Sequence, residues 1–272
     1  MILTEIDQKT TVNNITISYT EAGPAEAPAI IFIHGFPLNK SMWEKQIDAL
    51  KDHYRAIAYD VRGHGNSDSG SEHFSIDIFV SDLIGFMDNL AIKKTILCGL
   101  SMGGYIAINA ALLRPDLFDA IILSDTSCAA DTIEAKHKRI LAIEDVKLNG
   151  LVNFADESIK NLFTADFLIS KSPEISLVTG MIVNTSSQSI YNTMHALAIR
   201  RETCSRLHEI KIPVLILVGI DDKITPVSSA KTMNENITDS NLTIIEHAGH
   251  LSNLENPFEF NYLIKKFIDT VY

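Results

Sequence analysis

The chain has 272 residues, 46% of them hydrophobic, which is enough to bury a sizeable core in one or two domains. Its formal net charge is −11, from 23 basic and 34 acidic residues. That balance argues against a nucleic-acid or anionic-membrane surface and reads as a solubilising shell.

The first segment, Thr11 to Thr20, alternates and is β-branched, which predicts strand with a turn at Asn13-Asn14. Gly23-Pro24 and Pro28 mark a loop. Ala29 to Ile33 is a continuous apolar run, as expected for a central parallel strand covered on both faces. A helix is expected around Met42 to Leu50 and a strand over Tyr54 to Tyr59. Phe79, Leu83, Phe86, Met87 and Leu90 have helical spacing. Thr95 to Cys98 and Ala120 to Leu123 read as buried strands flanking a packed helix over Tyr105 to Ala111. This alternation of strand and helix predicts an α/β fold with a mostly parallel sheet.

The rhythm breaks after Cys128. Residues 129 to 205 hold helical patterns and no convincing apolar strand. Strands resume at Pro213 to Val218 and at Leu242 to Ile245, and a last helix is expected from Phe258 to Tyr272. The expected organisation is a core of 1–128 and 206–272 with 129–205 as a helical insertion. Met1 to Asp7 lacks the basic and apolar regions of a leader, and no run reaches the roughly 18 apolar residues of a membrane helix. A cytoplasmic location is therefore expected. The three cysteines, Cys98, Cys128 and Cys204, are far apart and form no CxxC. They predict buried thiols, with no disulfide framework and no zinc site.

Gly99-Leu100-Ser101-Met102-Gly103 carries the chemistry. G-x-S-x-G between a strand and a helix is a tight elbow that presents a serine at the strand tip. A serine hydroxyl is a poor nucleophile alone. It needs a base, and the base needs an orienting acid. Of nine histidines, His250 is the candidate base, because Gly249 permits a sharp loop after the last strand. His247 lies closer to that strand. The acid is sought in Gly219-Ile220-Asp221-Asp222, directly after a strand. Asp125, after another strand end, is an alternative whose simpler role is a loop hydrogen bond. Two backbone N–H groups must hold a developing oxyanion. Met102, after the serine, and Phe36, in His34-Gly35-Phe36-Pro37, are the candidates. His34 reads as a structural loop histidine.

Together these motifs resemble the α/β-hydrolase superfamily over nearly the whole chain. They include Asp60-Val61-Arg62-Gly63-His64-Gly65-Asn66-Ser67-Asp68, read as a structural turn. The narrower resemblance is to 3-oxoadipate enol-lactonases and cofactor-free haloperoxidase-like esterases. In the superfamily the acid usually stands three residues after a strand-ending glycine, which selects Asp222. The resemblance implies an α/β-hydrolase fold, a cap formed by 129–205, and a Ser101-His250-Asp222 triad. It also implies hydrolysis of a small ester, thioester or lactone through an acyl-enzyme, with no metal and no cofactor. Phe36, Trp43 and Met102 are expected at the pocket. Arg200 and Arg201 read as a solvated helix end. The expected partner is a small-molecule substrate, with no nucleic acid and no membrane. Two other readings share these motifs: a carbon–carbon bond hydrolase or lyase, and a hydrolase-like ligand receptor.

Overall fold

A computed structural model describes residues 7–272, so the leader reading of residues 1–6 lies outside the described residues. In chain order the elements are β1 (Gln8–Val12), β2 (Ile15–Ala22), β3 (Ala29–Ile33), α1 (Glu44–Leu50), β4 (Arg55–Tyr59), α2 (Ile76–Asn89), β5 (Thr95–Leu100) and α3 (Met102–Leu113). Then follow β6 (Phe118–Ser124), α4 (Ile133–Leu162), α5 (Ala165–Ser170), α6 (Pro173–Asn184), α7 (Ser187–Ile199), β7 (Val214–Gly219), α8 (Val227–Asn236), β8 (Ser240–Ile245), α9 (Ser252–Glu255) and α10 (Pro257–Val271).

The eight strands among the described residues form one sheet in the order β1-β2-β4-β3-β5-β6-β7-β8. β1 and β2 pair antiparallel across Asn13-Asn14, both of which take positive φ. β2 also pairs antiparallel with β4, and every pairing from β4 to β8 is parallel. Period-two geometry sends alternate side chains to opposite faces. In β3, Ile31 and Ile33 join the core layer built with α2, α3 and α8, while Ile30 and Phe32 join the layer built with α1 and α10. Both faces are covered, which is why β3 reads as an unbroken apolar run. Trp43 belongs to the second layer, against Phe32 and Phe260. It is core, and the expectation that it lines the pocket is corrected.

α10 buries Phe260, Ile264, Phe267 and Ile268 on one stripe. Each such side chain is worth about 1.5–3 kcal/mol when buried, more than the spread of ordinary helix propensities, so packing decides the helix. α8 buries only Ala230 and Met233, and sequence reading passed over it. Between β6 and β7 the chain is helical, α4 to α7, as expected. α4 is interrupted at Gly150, where φ is 81°. No described helix is long and apolar enough to cross a membrane.

The cysteine expectation fails at two of three positions. Cys128 and Cys204 form a disulfide across 76 residues of sequence, with Cα atoms 4.8 Å apart, and only Cys98 is a free buried thiol. The bridge joins the residue before the helical segment to the residue near its end. The Thr203 N–H adds a hydrogen bond to the Cys128 carbonyl at 2.8 Å. A cross-link over so long a loop restricts the unfolded chain most. Cys204→Ser should therefore lower stability by about 2–4 kcal/mol. Urea unfolding of both proteins, with and without dithiothreitol, checks this, and reduced wild type should match the variant.

Candidate active site

Ser101 stands between β5 and α3 with φ 54° and ψ −113°. The elbow is tight enough to demand glycine on both sides. A Cβ on Gly99 would lie 2.3 Å from the Gly103 carbonyl oxygen, and one on Gly103 would lie 2.1 Å from that of Ile33. No side chain fits either place. Three bonds hold the turn: the Ser101 N–H donates to the Ser124 carbonyl at 3.0 Å, the Thr126 hydroxyl donates to the Ser101 carbonyl at 2.7 Å, and the Gly104 N–H donates to the same carbonyl at 2.9 Å. Met102 begins α3, so helix geometry offers its N–H no partner one turn back. The Leu38 N–H donates to the Gly35 carbonyl and closes a turn around Phe36, whose bond to Pro37 is cis.

His250 follows β8 and is buried. Its Nδ1 lies 2.8 Å from Asp222 Oδ2. Asp222 Oδ1 accepts the N–H groups of Ile224 and Thr225 at 2.8 and 2.9 Å, and Oδ2 accepts the Thr225 hydroxyl at 2.7 Å. Burial opposes ionisation of Asp222. The imidazole and these donors overcome it and hold the carboxyl near pKa 2. Burial likewise opposes charge on His250, but Asp222, Asp125 and Glu255 raise its pKa above the usual histidine value. Asp221, next in sequence, is exposed, as is His247.

Ser101, His250, Phe36 and Met102 line one cavity of about 590 Å³. With Nδ1 committed to Asp222, the free nitrogen of His250 is Nε2. No hydrogen bond joins it to Ser101 among the described residues, and such bonds often tighten only with substrate bound. His34 lies behind the cavity, where its Nε2 accepts the Val61 N–H at 2.9 Å and its Nδ1 faces the Gly35 carbonyl. Burial and neighbouring His64 push its pKa well down, so it is a neutral loop brace, as expected. Arg62 of the glycine-rich turn is buried in a two-point ion pair with Asp82, and it does not reach the cavity.

Arg200 departs from expectation. It is not a solvated helix end: its side chain is 9% exposed, its Nη1 pairs with Asp131 at 2.5 Å, and its guanidinium stacks 4.4 Å from the Tyr105 ring centre. Arg139 pairs with the same carboxylate at 2.5 Å. Arg139, Arg200 and Lys138 line the cavity with Asp131 as the opposing carboxylate. Arg201 is exposed. Met194 of α7 also reaches the cavity, and its neighbour His195 is exposed. Sequence reasoning missed Thr225, although an aspartate followed three residues later by threonine and then proline is a legible capping pattern.

A family model described as the alpha/beta hydrolase fold matches residues 28–257. A 3-oxoadipate enol-lactonase of Acinetobacter baylyi is 32% identical, over 94% of each chain. Among solved structures, a thermophilic esterase from Thermogutta terrifontis with malate bound is 30% identical. It has a TM-score of 0.91 over 98% of this chain and 99% of that one. The enol-lactonase of Burkholderia xenovorans LB400 is 25% identical, with a TM-score of 0.91 over 96% of this chain and 100% of that one.

Proposed function

The chain belongs to the α/β-hydrolase family, and on that premise we propose that it is a serine hydrolase cleaving a small ester or lactone through an acyl-enzyme. The observation that carries this reading is the Asp222–His250 pair at 2.8 Å, placed on the same cavity as the elbow serine. His250 Nε2 takes the proton of Ser101 as its oxygen attacks the acyl carbon. The N–H groups of Phe36 and Met102 receive the oxyanion. His250 then protonates the leaving oxygen, and afterwards activates a water that releases the acid. Asp222 holds the imidazole with its proton on Nδ1 and stabilises the imidazolium. No step requires a metal or an organic cofactor. Residues 129–205 act as a cap over the core formed by 1–128 and 206–272, and supply the charged wall of the cavity.

That wall narrows the substrate. Three cations face one carboxylate there, which favours an ester or lactone carrying its own carboxylate away from the scissile bond. Relatives named for 3-oxoadipate enol-lactone and a solved esterase with bound malate are in keeping with this. A hydrogen bond to a charged group is worth about 1.5–3 kcal/mol. Arg200→Ala should therefore lower kcat/KM for a p-nitrophenyl hemisuccinate by about 10-fold or more relative to p-nitrophenyl acetate. Equal losses on both esters would refute carboxylate recognition.

The reaction class is tested by covalent trapping. A fluorophosphonate should label the peptide containing Ser101, one adduct per chain, and abolish ester hydrolysis in proportion. A folded protein that neither labels nor turns over p-nitrophenyl esters would overturn the reading.

A further inference from the structure

Asp125 is a second buried carboxyl behind the candidate triad, fully enclosed and outside the catalytic cavity. Its residue takes φ 44°, a left-handed conformation uncommon for any residue but glycine. The carboxyl bridges three chain segments. Oδ1 accepts the Gly219 N–H at 2.8 Å, at the strand end that leads to Asp222. Oδ2 accepts the Ser252 hydroxyl at 2.5 Å, two residues after His250, and the Ser124 hydroxyl at 2.9 Å. The Ser124 carbonyl in turn holds the Ser101 N–H, and the Asp125 N–H donates to the Leu217 carbonyl. The loops that carry serine, acid and base therefore all meet at one side chain 94 residues from Gly219 and 127 from Ser252.

We propose that Asp125 is a positioning residue that clamps the acid-bearing and base-bearing loops together and, by its own charge, sets the proton affinity of His250. The inference rests on His250 being the base. Burial, then repulsion from Asp222, raises the Asp125 carboxyl to about pKa 7, against the pull of His250 and the two donors Ser252 and Gly219. Asp222 has the imidazole as direct partner and keeps the negative charge. Asp125 therefore takes on its charge only toward neutral pH, well after Asp222. The charged or titratable groups around the pair are Asp222, Glu255 and the buried Cys98 thiol. None of these supplies a cation other than His250 itself. Each negative charge added beside the imidazole makes its proton harder to remove. Protonated Asp125 and asparagine have the same shape, so Asp125→Asn imitates the low-pH form at every pH.

The test is an NMR titration of the His250 imidazole alongside the pH profile of kcat/KM on a p-nitrophenyl ester. In Asp125→Asn the His250 midpoint should fall by about half a pH unit or more, and the ascending limb of kcat/KM should move down with it. Ser252→Ala keeps the carboxyl but removes one donor to its charged form, so it should shift the midpoint the same way by less. It also serves as the deciding variant where Asp125→Asn does not fold. A His250 midpoint unchanged in the folded variant overturns the proposal. A midpoint that moves while the kinetic limb stays put supports the coupling and overturns His250 as the base.

Discussion

Ser101→Ala should lower kcat/KM for an ester by on the order of 10⁴-fold or more, with the fold intact and a small residual rate. The serine side chain makes no hydrogen bond that the elbow depends on. The turn is held by the Ser101 backbone, through Ser124, Thr126 and Gly104, and alanine leaves all three bonds in place. The strained φ of 54° is retained because Gly99 and Gly103 enforce it. Stability should change by no more than a surface-like few tenths of a kcal/mol. On the proposed mechanism the covalent step disappears, while binding and the Phe36 and Met102 amides remain and account for the residue of rate. Steady-state kinetics on p-nitrophenyl esters of graded acyl length, with urea unfolding beside them, checks both halves. A variant with near-wild-type turnover would remove Ser101 from the chemistry.

Asp222→Asn should cost a comparable factor, about 10⁴ in kcat/KM near neutral pH, for a reason set by its neighbours. Oδ1 already accepts two backbone N–H groups, from Ile224 and Thr225. An asparagine must keep its carbonyl there, which turns its NH₂ toward His250. The imidazole then has to accept at Nδ1, and its proton moves to Nε2, where the base needs a lone pair. The carboxylate's support of the imidazolium is lost as well. The variant's residual activity should appear at lower pH than in wild type, because the histidine pKa, no longer raised by Asp222, falls. The same substitution changes the acid limb of stability. A carboxyl held near 2 contributes stability above its unfolded pKa of about 3.9 that is lost as pH falls toward 2. The variant should lose that contribution at neutral pH and show a flatter decline in acid, as urea midpoints between pH 2 and 6 would reveal. Wild-type-like kcat/KM at neutral pH would exclude Asp222 as the orienting acid.

Patterns that repeat locally were legible in the sequence. The β1–β2 hairpin announces itself through Asn13-Asn14, β3 through five consecutive apolar residues, and the serine elbow through paired glycines. Elements with a thin apolar signal were not legible. α8 sets only Val227, Ala230 and Met233 against the core, among seven polar residues. Relations across long stretches of chain were hidden for a different reason: spacing along a sequence carries no distance in space. Nothing near Cys128 points to Cys204, and nothing near Asp125 points to Ser252. Arg200 and Arg201 are neighbours with opposite fates, because the end of α7 sends one side chain inward to Asp131 and leaves the other in water. The choice of Asp222 over Asp221 needed the family spacing. The structure adds the physical distinction, since one is buried against an imidazole and the other is exposed.

The Cys128–Cys204 bridge makes a covalent ring of everything between those residues, α4 to α7 included. A protease that nicks the ring once, for instance at exposed Leu148, breaks the peptide chain without releasing a fragment. The nicked protein should migrate as one species on a non-reducing gel and as two after reduction. Arg139 and Arg200, on either side of the cut, then belong to two peptide fragments, one continuous with β6 and the other with β7, whose one covalent link is the sulfur bridge.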